Sequence, residues 1–263
     1  MNLVARIEGI GLVGPGLVDW NAAREVLAGR QPFEHKPVVF PAPEMLPAAE
    51  RRRAGKCVRL ALAVGIEAAG HSGRAARELV SIFTSSSGDG ETMHAICEAL
   101  ASEDREISPT RFHNSVHNAP AGYWGIATGA MHPADSIAAF NASFAAGLLE
   151  AMVRLAQQPA QPVLLVAYDA PYPEPLQGAR PLSDSFACAL VLCAGPDAKG
   201  PMIRVDVSSQ PANSLEDAGL EALRAGVPAA RALPLLALLA RESAGPATIE
   251  YLGGKSLTVD VRP

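Results

Sequence analysis

Two segments of this sequence have the pattern of a buried strand that runs through a small-residue turn into a helix. Residues 79–84 (LVSIFT) predict the first strand, and the turn SSSGDG follows at residues 85–90. Residues 135–140 predict the second strand, which leads into a tip formed by Asn141-Ala142-Ser143. Strands that alternate with helices in this way are typical of layered α/β folds.

The rest of the chain continues this alternation. Further strands are predicted at residues 4–13, 163–168, 186–193, 202–207, 248–252 and 256–261. Helices are predicted at residues 20–27, 50–69, 91–100 and 143–157, in a small-residue segment that ends near residue 128, and after Ser214 and Pro228. Gly253-Gly254-Lys255 joins the last two strands as a hairpin, and two proline-rich segments, residues 31–49 and 171–181, predict loops.

Composition limits the classes of protein to which the chain can belong. Of its 263 residues, 49% are hydrophobic and 19% are charged, so it can bury a large core as one domain or as a domain with a short extension. Its net charge of −5 leaves no basic surplus for binding phosphates, which argues against nucleic acid as a partner. No segment approaches the roughly 18 apolar residues of a membrane-spanning helix, and the first residues lack a signal-peptide pattern. We therefore expect a cytoplasmic protein.

Four cysteines and a histidine pair are the candidate metal ligands. Cys57, Cys97, Cys188 and Cys193 lie in apolar surroundings without ligand spacing, so buried, reduced thiols are expected. His113 and His117 are four residues apart, but no third ligand accompanies them, and a structural or partner-contact role is expected. The SSSGDG turn lacks the P-loop lysine and predicts no nucleotide site. The sequence thus predicts neither a metal nor a cofactor.

The tip is the strongest candidate for a site of chemistry. The backbone amides at the start of a helix lower the pKa of a thiol or stabilise an oxyanion, and many enzymes present a nucleophile there. Asn141 is not a nucleophile under ordinary conditions, although its amide donates and accepts hydrogen bonds. Ser143 lacks the surrounding G-x-S-x-G elbow, so a packing or capping role is expected for it.

Several short motifs follow one another in a fixed order along the chain. They are Ser108-Pro109 with Phe112, Asn118-Ala119-Pro120-Ala121-Gly122, Asp135-Ser136-Ile137 ahead of the tip, residues 186–192, and an early helical stretch from Arg51 to Ala68. In this order they resemble the N-terminal half of the β-ketoacyl synthases. The resemblance implies a thiolase-like layered α/β fold of the α/β/α/β/α type. It further implies a complete N-terminal half at residues 1–207 and a truncated C-terminal half at residues 208–263, a remnant packed on the same body.

The resemblance also implies that the chain has lost the condensation reaction. Active members form an acyl thioester on a cysteine at the tip, where this sequence has Asn141, and they use two histidines and a lysine from the second half. Residues 208–263 contain no histidine, and Lys255 is their only lysine. The family member that fits is the chain-length factor, a noncatalytic partner of an active β-ketoacyl synthase in aryl-polyene, fatty-acid and type II polyketide biosynthesis. Such a subunit forms a heterodimer with the synthase about a pseudo-twofold axis.

The resemblance assigns two groups of residues to that role. Bulky side chains at the far end of the partner's acyl tunnel are expected to set where the growing chain stops, and they are Phe112, Val116, Tyr123, Trp124 and Phe140. The only basic cluster is either a solvated helix face or a docking site for an acidic acyl carrier protein, and it comprises Arg51, Arg52, Arg53, Lys56 and Arg59.

Two other classes of function stay open on the sequence alone. The first is a free-standing acyl-binding or scaffold protein, including a homodimer, that uses the vestigial pocket without assisting condensation. The second is a residual enzyme, either a decarboxylase assisted by Asn141 or a hydrolase that uses Ser143. A complex with an active synthase favours the chain-length factor, and a covalent acyl adduct favours the residual enzyme.

Overall fold

Two glycines let the first strand lie directly against a long helix. In the computed structural model, which describes residues 3–263, β1 (Leu3–Val13) packs on α3 (Lys56–Ser72). A Cβ atom on Gly9 or on Gly11 would overlap a backbone carbonyl oxygen of α3. Only glycine therefore fits at these two positions, and this contact joins the sheet to the helical layer on one of its faces.

All eight strands belong to one mixed sheet. They are β1, β2 (Val80–Thr84), β3 (Ala134–Ile137), β4 (Val163–Asp169), β5 (Phe186–Cys193), β6 (Met202–Ser208), β7 (Gly245–Glu250) and β8 (Ser256–Arg262). Their order across the sheet is β3-β2-β4-β5-β1-β6-β8-β7. β2 is parallel to β3 and β4, and every other neighbouring pair is antiparallel. Because β2, β3 and β4 run in the same direction, their carboxyl ends lie together at one end of the sheet.

Helices cover both faces of the sheet. They are α1 (Trp20–Leu27), α2 (Ala48–Arg53), α3, α4 (Gly90–Ala101), α5 (Pro109–Asn114), α6 (Ala119–Thr128), α7 (Ser143–Gln157), α8 (Leu176–Ala179), α9 (Ala218–Gly226) and α10 (Leu233–Ala240). On one face, α3 and α6 pack over alternate residues of β4 and β5 such as Leu164 and Val191. On the other face, α1, α7, α9 and α10 pack over the intervening residues, such as Leu165 and Leu190. No helix within residues 3–263 is both long and apolar enough to span a bilayer.

The residues that follow the two outermost strands lie close together. β3 and β7 are the outermost strands, yet the residues that follow each of them line a single cleft. As a result, the C-terminal hairpin lies beside the tip that precedes α7.

The predicted elements differ from the observed ones mainly at their ends. The helix expected over residues 50–69 is two helices, α2 and α3, because the backbone is extended at Ala54 and Gly55. The strand expected over residues 135–140 ends at Ile137, because the chain then turns into a short 3-10 helix at Phe140–Ala142. The segment expected to be a loop over residues 171–181 contains the short helix α8, and α5 forms where no element was predicted.

The expectation of four buried thiols is wrong for one of them. Cys57, Cys188 and Cys193 are buried, whereas Cys97 is exposed. Cys97 belongs to α4, which buries only Ile96, so most of this helix faces away from the body of the protein. An apolar helical pattern thus does not guarantee burial within one chain.

The C-terminal residues extend the sheet of the preceding ones. β8 pairs with β6, with Arg262 opposite Met202 at one end and Ser256 opposite Ser208 at the other. β7 pairs with the other edge of β8. Residues 208–263 are therefore packed on the same body, while the division of the chain at residue 207 stays a prediction.

Candidate functional site

The tip presents Phe140 and Asn141 to solvent at the carboxyl ends of the parallel strands. Phe140 adopts a left-handed backbone with φ of 53°, which is uncommon for a residue other than glycine. This sharp turn leaves the Phe140 side chain 61% exposed, and Asn141 is exposed beside it. Helix α7 begins two residues later, so its N-terminal amides lie directly behind Asn141.

Ser143 has the packing role expected from the sequence. It is buried, its hydroxyl donates to the carbonyl oxygen of Phe140 at 2.8 Å, and its Oγ accepts from the amide of Ala139 at 3.1 Å. The hydroxyl proton is thus directed to a carbonyl group, which cannot act as a general base. The geometry closes the turn and gives no support to a hydrolase that uses Ser143.

Arg180 holds the tip from one side, and sequence reasoning missed it. Its guanidinium carbon lies 3.4 Å from the centre of the Phe140 ring, and its Nη2 donates to Asn141 Oδ1 at 3.3 Å. Arg180 follows α8 in a segment expected to be a loop, 39 residues beyond Asn141. No sequence spacing connects the two positions, because the loop conformation alone brings them together.

A cleft of about 500 Å³ lies on another side of the tip. The tip forms one wall, and residues 209–211 and the turn of the C-terminal hairpin form the other. Lys255, on the hairpin, donates to Ser209 Oγ at 3.0 Å, which ties the hairpin to the loop after β6. Residues 208–263 therefore supply one wall of the cleft beside Asn141.

A buried carboxylate lies near the ends of β2 and β4. Asp169 is fully buried, and its oxygens accept hydrogen bonds from Ser85, Ser86 and the backbone amide of Ala229. Burial raises the pKa of the Asp169 carboxyl above its ordinary value, and the hydrogen bonds from Ser86 and Ser85 oppose that rise. The sequence contained the SSSGDG turn but no sign that an aspartate at the end of β4 would anchor it.

The five candidate gating residues separate into two groups in the structure. Phe112, Val116 and Phe140 are exposed by 66%, 53% and 61%. Tyr123 and Trp124 are buried in the core between α3, α6 and the sheet. Tyr123 donates its hydroxyl proton to Asn114 Oδ1 at 3.1 Å, and the Trp124 ring lies 6.4 Å from that of Phe83. These two aromatic side chains do not reach the surface of the chain.

The histidine pair is likewise separated in its surroundings. His113 is exposed on α5, whereas the half-buried His117 places its Nε2 3.3 Å from the carbonyl oxygen of Ser85. Within residues 3–263, no three His, Cys, Asp or Glu side chains are grouped so that they could hold a metal ion.

Four of the five residues of the basic cluster make contacts inside the chain. Arg51 of α2 and Arg59 of α3 donate to backbone carbonyls of the proline-rich segment. Arg53 pairs with Glu50 within α2, and Lys56 pairs with the first turn of α4. Arg52 is exposed, and its side chain makes no ion pair or hydrogen bond within residues 3–263.

Comparison with known families agrees with the order of motifs in the sequence. Residues 20–244 match the family described as the N-terminal domain of the β-ketoacyl synthases. The chain belongs to this family. No curated protein sequence matches the chain.

Solved structures with a similar fold include ketosynthase complexes. One is the ketosynthase ApeO in complex with its chain length factor ApeC from Xenorhabdus doucetiae, with a TM-score of 0.73, 21% identity and 99% of each chain covered. A second is the ishigamide ketosynthase/chain length factor, with a TM-score of 0.71, 15% identity and 98% and 99% of the two chains covered.

A third is a type II polyketide acyl-carrier protein in complex with its ketosynthase, AntDE:AntF, with a TM-score of 0.78 and 10% identity. It covers 100% of this chain and 99% of the other. The thiolase-like fold expected from the sequence is thereby confirmed for this β-ketoacyl synthase relative. Its residues 3–263 form one sheet between two helical layers, rather than the full five-layered arrangement.

Proposed function

We propose that this β-ketoacyl synthase relative is a noncatalytic, chain-length-factor-like subunit that pairs with an active synthase and shapes its acyl tunnel. The observation that carries the proposal is the tip, which keeps the strand-turn-helix geometry of a nucleophile site but presents Asn141. An amide is not a nucleophile under ordinary conditions, and the neighbouring Ser143 hydroxyl is bonded to a carbonyl oxygen. Residues 208–263 contribute no histidine to act as a general base.

The two edges of the sheet differ in a way that favours a partner at β3. Asn213 occupies the outer edge of β7. Its backbone amide donates to the carbonyl oxygen of Thr248 at 2.9 Å, and its side-chain Oδ1 accepts from the backbone amide of Thr248 at 2.6 Å. β3 has no strand on its outer side within residues 3–263. An unblocked edge strand is a template for pairing with another chain, so β3 is the edge at which we place the partner subunit.

Apolar side chains near this edge support the same placement. Ile126 is exposed on α6, which packs against β3, and Met131, shortly before β3, is 93% exposed. Contiguous exposed apolar surface marks protein contact sites. Among the candidate gating residues, Phe112, Val116 and Phe140 have the exposure needed to reach a partner's tunnel. We therefore restrict the proposed gating group to these three.

We propose a smaller docking surface for an acyl carrier protein than the whole basic cluster, because its residues differ in their contacts. Arg51, Lys56 and Arg59 are engaged in holding the proline-rich segment and α4. Arg52 and Arg53 remain at the end of α2, where the carbonyl of Arg53 accepts from Asn114 of α5. Arg111 is also exposed on α5, three residues before Asn114. We propose these three arginines as the surface that attracts an acidic carrier protein.

Co-expression with an active β-ketoacyl synthase tests the proposed function. We expect a one-to-one complex whose condensation activity is lost when this chain is omitted. A homodimer that ignores the synthase would instead support a free-standing acyl-binding protein. Intact mass and CO2 release after incubation with malonyl and acyl carrier thioesters complete the test. An acyl adduct, or decarboxylation that is lost in Asn141→Ala, would contradict the noncatalytic role.

A further inference from the structure

The Asp169 carboxylate joins two parts of the chain that are far apart in sequence. Its Oδ1 accepts from Ser85 Oγ at 3.0 Å and from the amide and hydroxyl of Ser86, both at 2.8 Å. Its Oδ2 accepts from the amide of Ala229 at 2.9 Å. A fully buried carboxylate is costly unless such bonds compensate it, so these four bonds fix the turn after β2 and the start of the 3-10 helix Ala229–Ala232 relative to each other.

The turn after β2 contacts the segment that carries Val116 through His117. Ser85 Oγ also accepts from the amide of Gly88 at 3.0 Å, which keeps the turn compact. His117 donates from Nε2 to the carbonyl oxygen of Ser85 at 3.3 Å, and its ring packs on Gly88. A Cβ atom on Gly88 would come within 3.4 Å of that ring, and Gly88 has a φ of 72°. The turn and the ring of His117 therefore fit against each other.

His117 is well placed to orient the exposed surface. It directly follows Val116, and Phe112 lies five residues earlier on α5. Asn114 holds the other side of this segment, because it donates to the carbonyl of Arg53 at 2.9 Å. The amide of Ala119 donates to the carbonyl oxygen of Val116 at 3.0 Å, which is a local bond, whereas the bond from His117 to Ser85 ties this segment to the turn after β2.

We propose that Asp169 and His117 are positioning residues that hold Phe112 and Val116 in the orientation in which they face the partner subunit. This inference rests on the proposed function, because it concerns the same exposed segment. The carboxylate fixes the Ser85–Ser87 turn, the turn fixes His117, and His117 fixes the segment. Neither residue contacts the acyl chain in this arrangement, and each acts through the next.

Two substitutions of His117 distinguish the effect of its hydrogen bond from the effect of its ring volume. His117→Phe keeps a ring on Gly88 and loses the hydrogen bond to Ser85, whereas His117→Gln keeps a donor of similar reach. We expect His117→Phe to form the complex with an active synthase but to broaden or shift its product lengths by at least one extension unit. His117→Gln is expected to restore the wild-type distribution. Equal thermal unfolding of the two variants shows that the difference is not one of stability.

The Asp169 end of the network needs a milder change. Asp169→Asn places an amide donor against the Ala229 amide and can unfold the chain, so Ser86→Ala, which removes one of the four bonds, is the informative variant. We expect Ser86→Ala to shift the product lengths in the same direction as His117→Phe. A wild-type distribution in both variants, while Phe112→Ala shifts the products, would overturn the positioning inference alone. No shift in Phe112→Ala would instead contradict the proposed function.

Discussion

The guanidinium group of Arg180 lies over the ring of Phe140, 3.4 Å from its centre, and donates to Asn141 at the same time. One side chain thus supports both exposed residues of the tip. Because Phe140 has a left-handed backbone, the turn is strained, and a contact from outside helps to hold it. Arg180 thus stabilises the turn that presents Asn141 to solvent.

Replacing Arg180 should loosen this turn. Arg180→Ala removes the cation–π contact and the hydrogen bond, and we expect a loss of about 1 kcal/mol in the free energy of unfolding. Arg77→Ala is the matched control, because the Arg77 side chain is 68% exposed and its one ion pair within residues 3–263 is with the neighbouring Glu78. Urea unfolding measures both variants. Equal stability of the two would show that Arg180 does not support the tip.

The contact of β1 with α3 predicts opposite effects for two glycine substitutions. Gly11→Ala forces a Cβ atom into a backbone carbonyl, and we expect it to destabilise the fold by about 3 kcal/mol or more. Gly70 lies in α3, and a Cβ atom there would meet open space. Gly70→Ala should therefore stabilise the protein by about 0.5–1 kcal/mol. Denaturant midpoints compare the two, and effects of the same sign would contradict the close packing described for β1.

Glu8 should make the stability of the protein depend on acid pH. Burial raises the pKa of Glu8, but hydrogen bonds from Arg74, Lys199 and Cys193 outweigh it, and the pKa falls from 4.5 to about 2. A carboxyl with a depressed pKa stabilises the folded state above pH 4.5 and loses that contribution as the pH falls towards 2. The advantage of wild type over Glu8→Gln should therefore shrink between these pH values. A difference that is constant with pH would contradict this account.

Thiol labelling checks the position of α4. Burial raises the pKa of Cys57 and Cys188 well above the ordinary value and that of Cys193 to about 12, whereas Cys97 is exposed. Because the thiolate is the reactive form, we expect one maleimide adduct per native chain and four after denaturation. Cys97→Ser should abolish native labelling, and intact mass distinguishes these cases. Rapid labelling of a second thiol in the native state would contradict the burial of the core cysteines.

The sequence predicts the elements that depend on local pattern, and it predicts less well what depends on tertiary contacts. The strand-turn-helix order around Asn141 follows from alternating apolar and small residues, and so does the hairpin that ends the chain. Arg180 could not be foreseen, because the conformation of a loop brings it to the tip. The expectation that Cys97 is buried is wrong, because an apolar helical pattern does not show whether residues of the same chain or of a partner cover the helix.

The candidate site shows the same division. The exposed position of Asn141 could be expected from the tip motif, but the burial of Tyr123 and Trp124 could not. Both are bulky residues in the expected gating segment, and only the docking of α6 under α3 turns them into the core. The hydrogen bonds of Asp169 could not be predicted either, because a single aspartate at the end of a strand forms no sequence pattern.

The product lengths of the reconstituted complex test the central claim most directly. With an active synthase and carrier protein, we expect Phe112→Ala and Val116→Ala to yield longer products, because smaller side chains leave more room at the tunnel end. Val39→Ala, at a 79% exposed valine in the proline-rich segment, is the control and should leave the products unchanged. Longer products in the first two variants alone would support a subunit that sets chain length. Identical products from all three variants and wild type would contradict it.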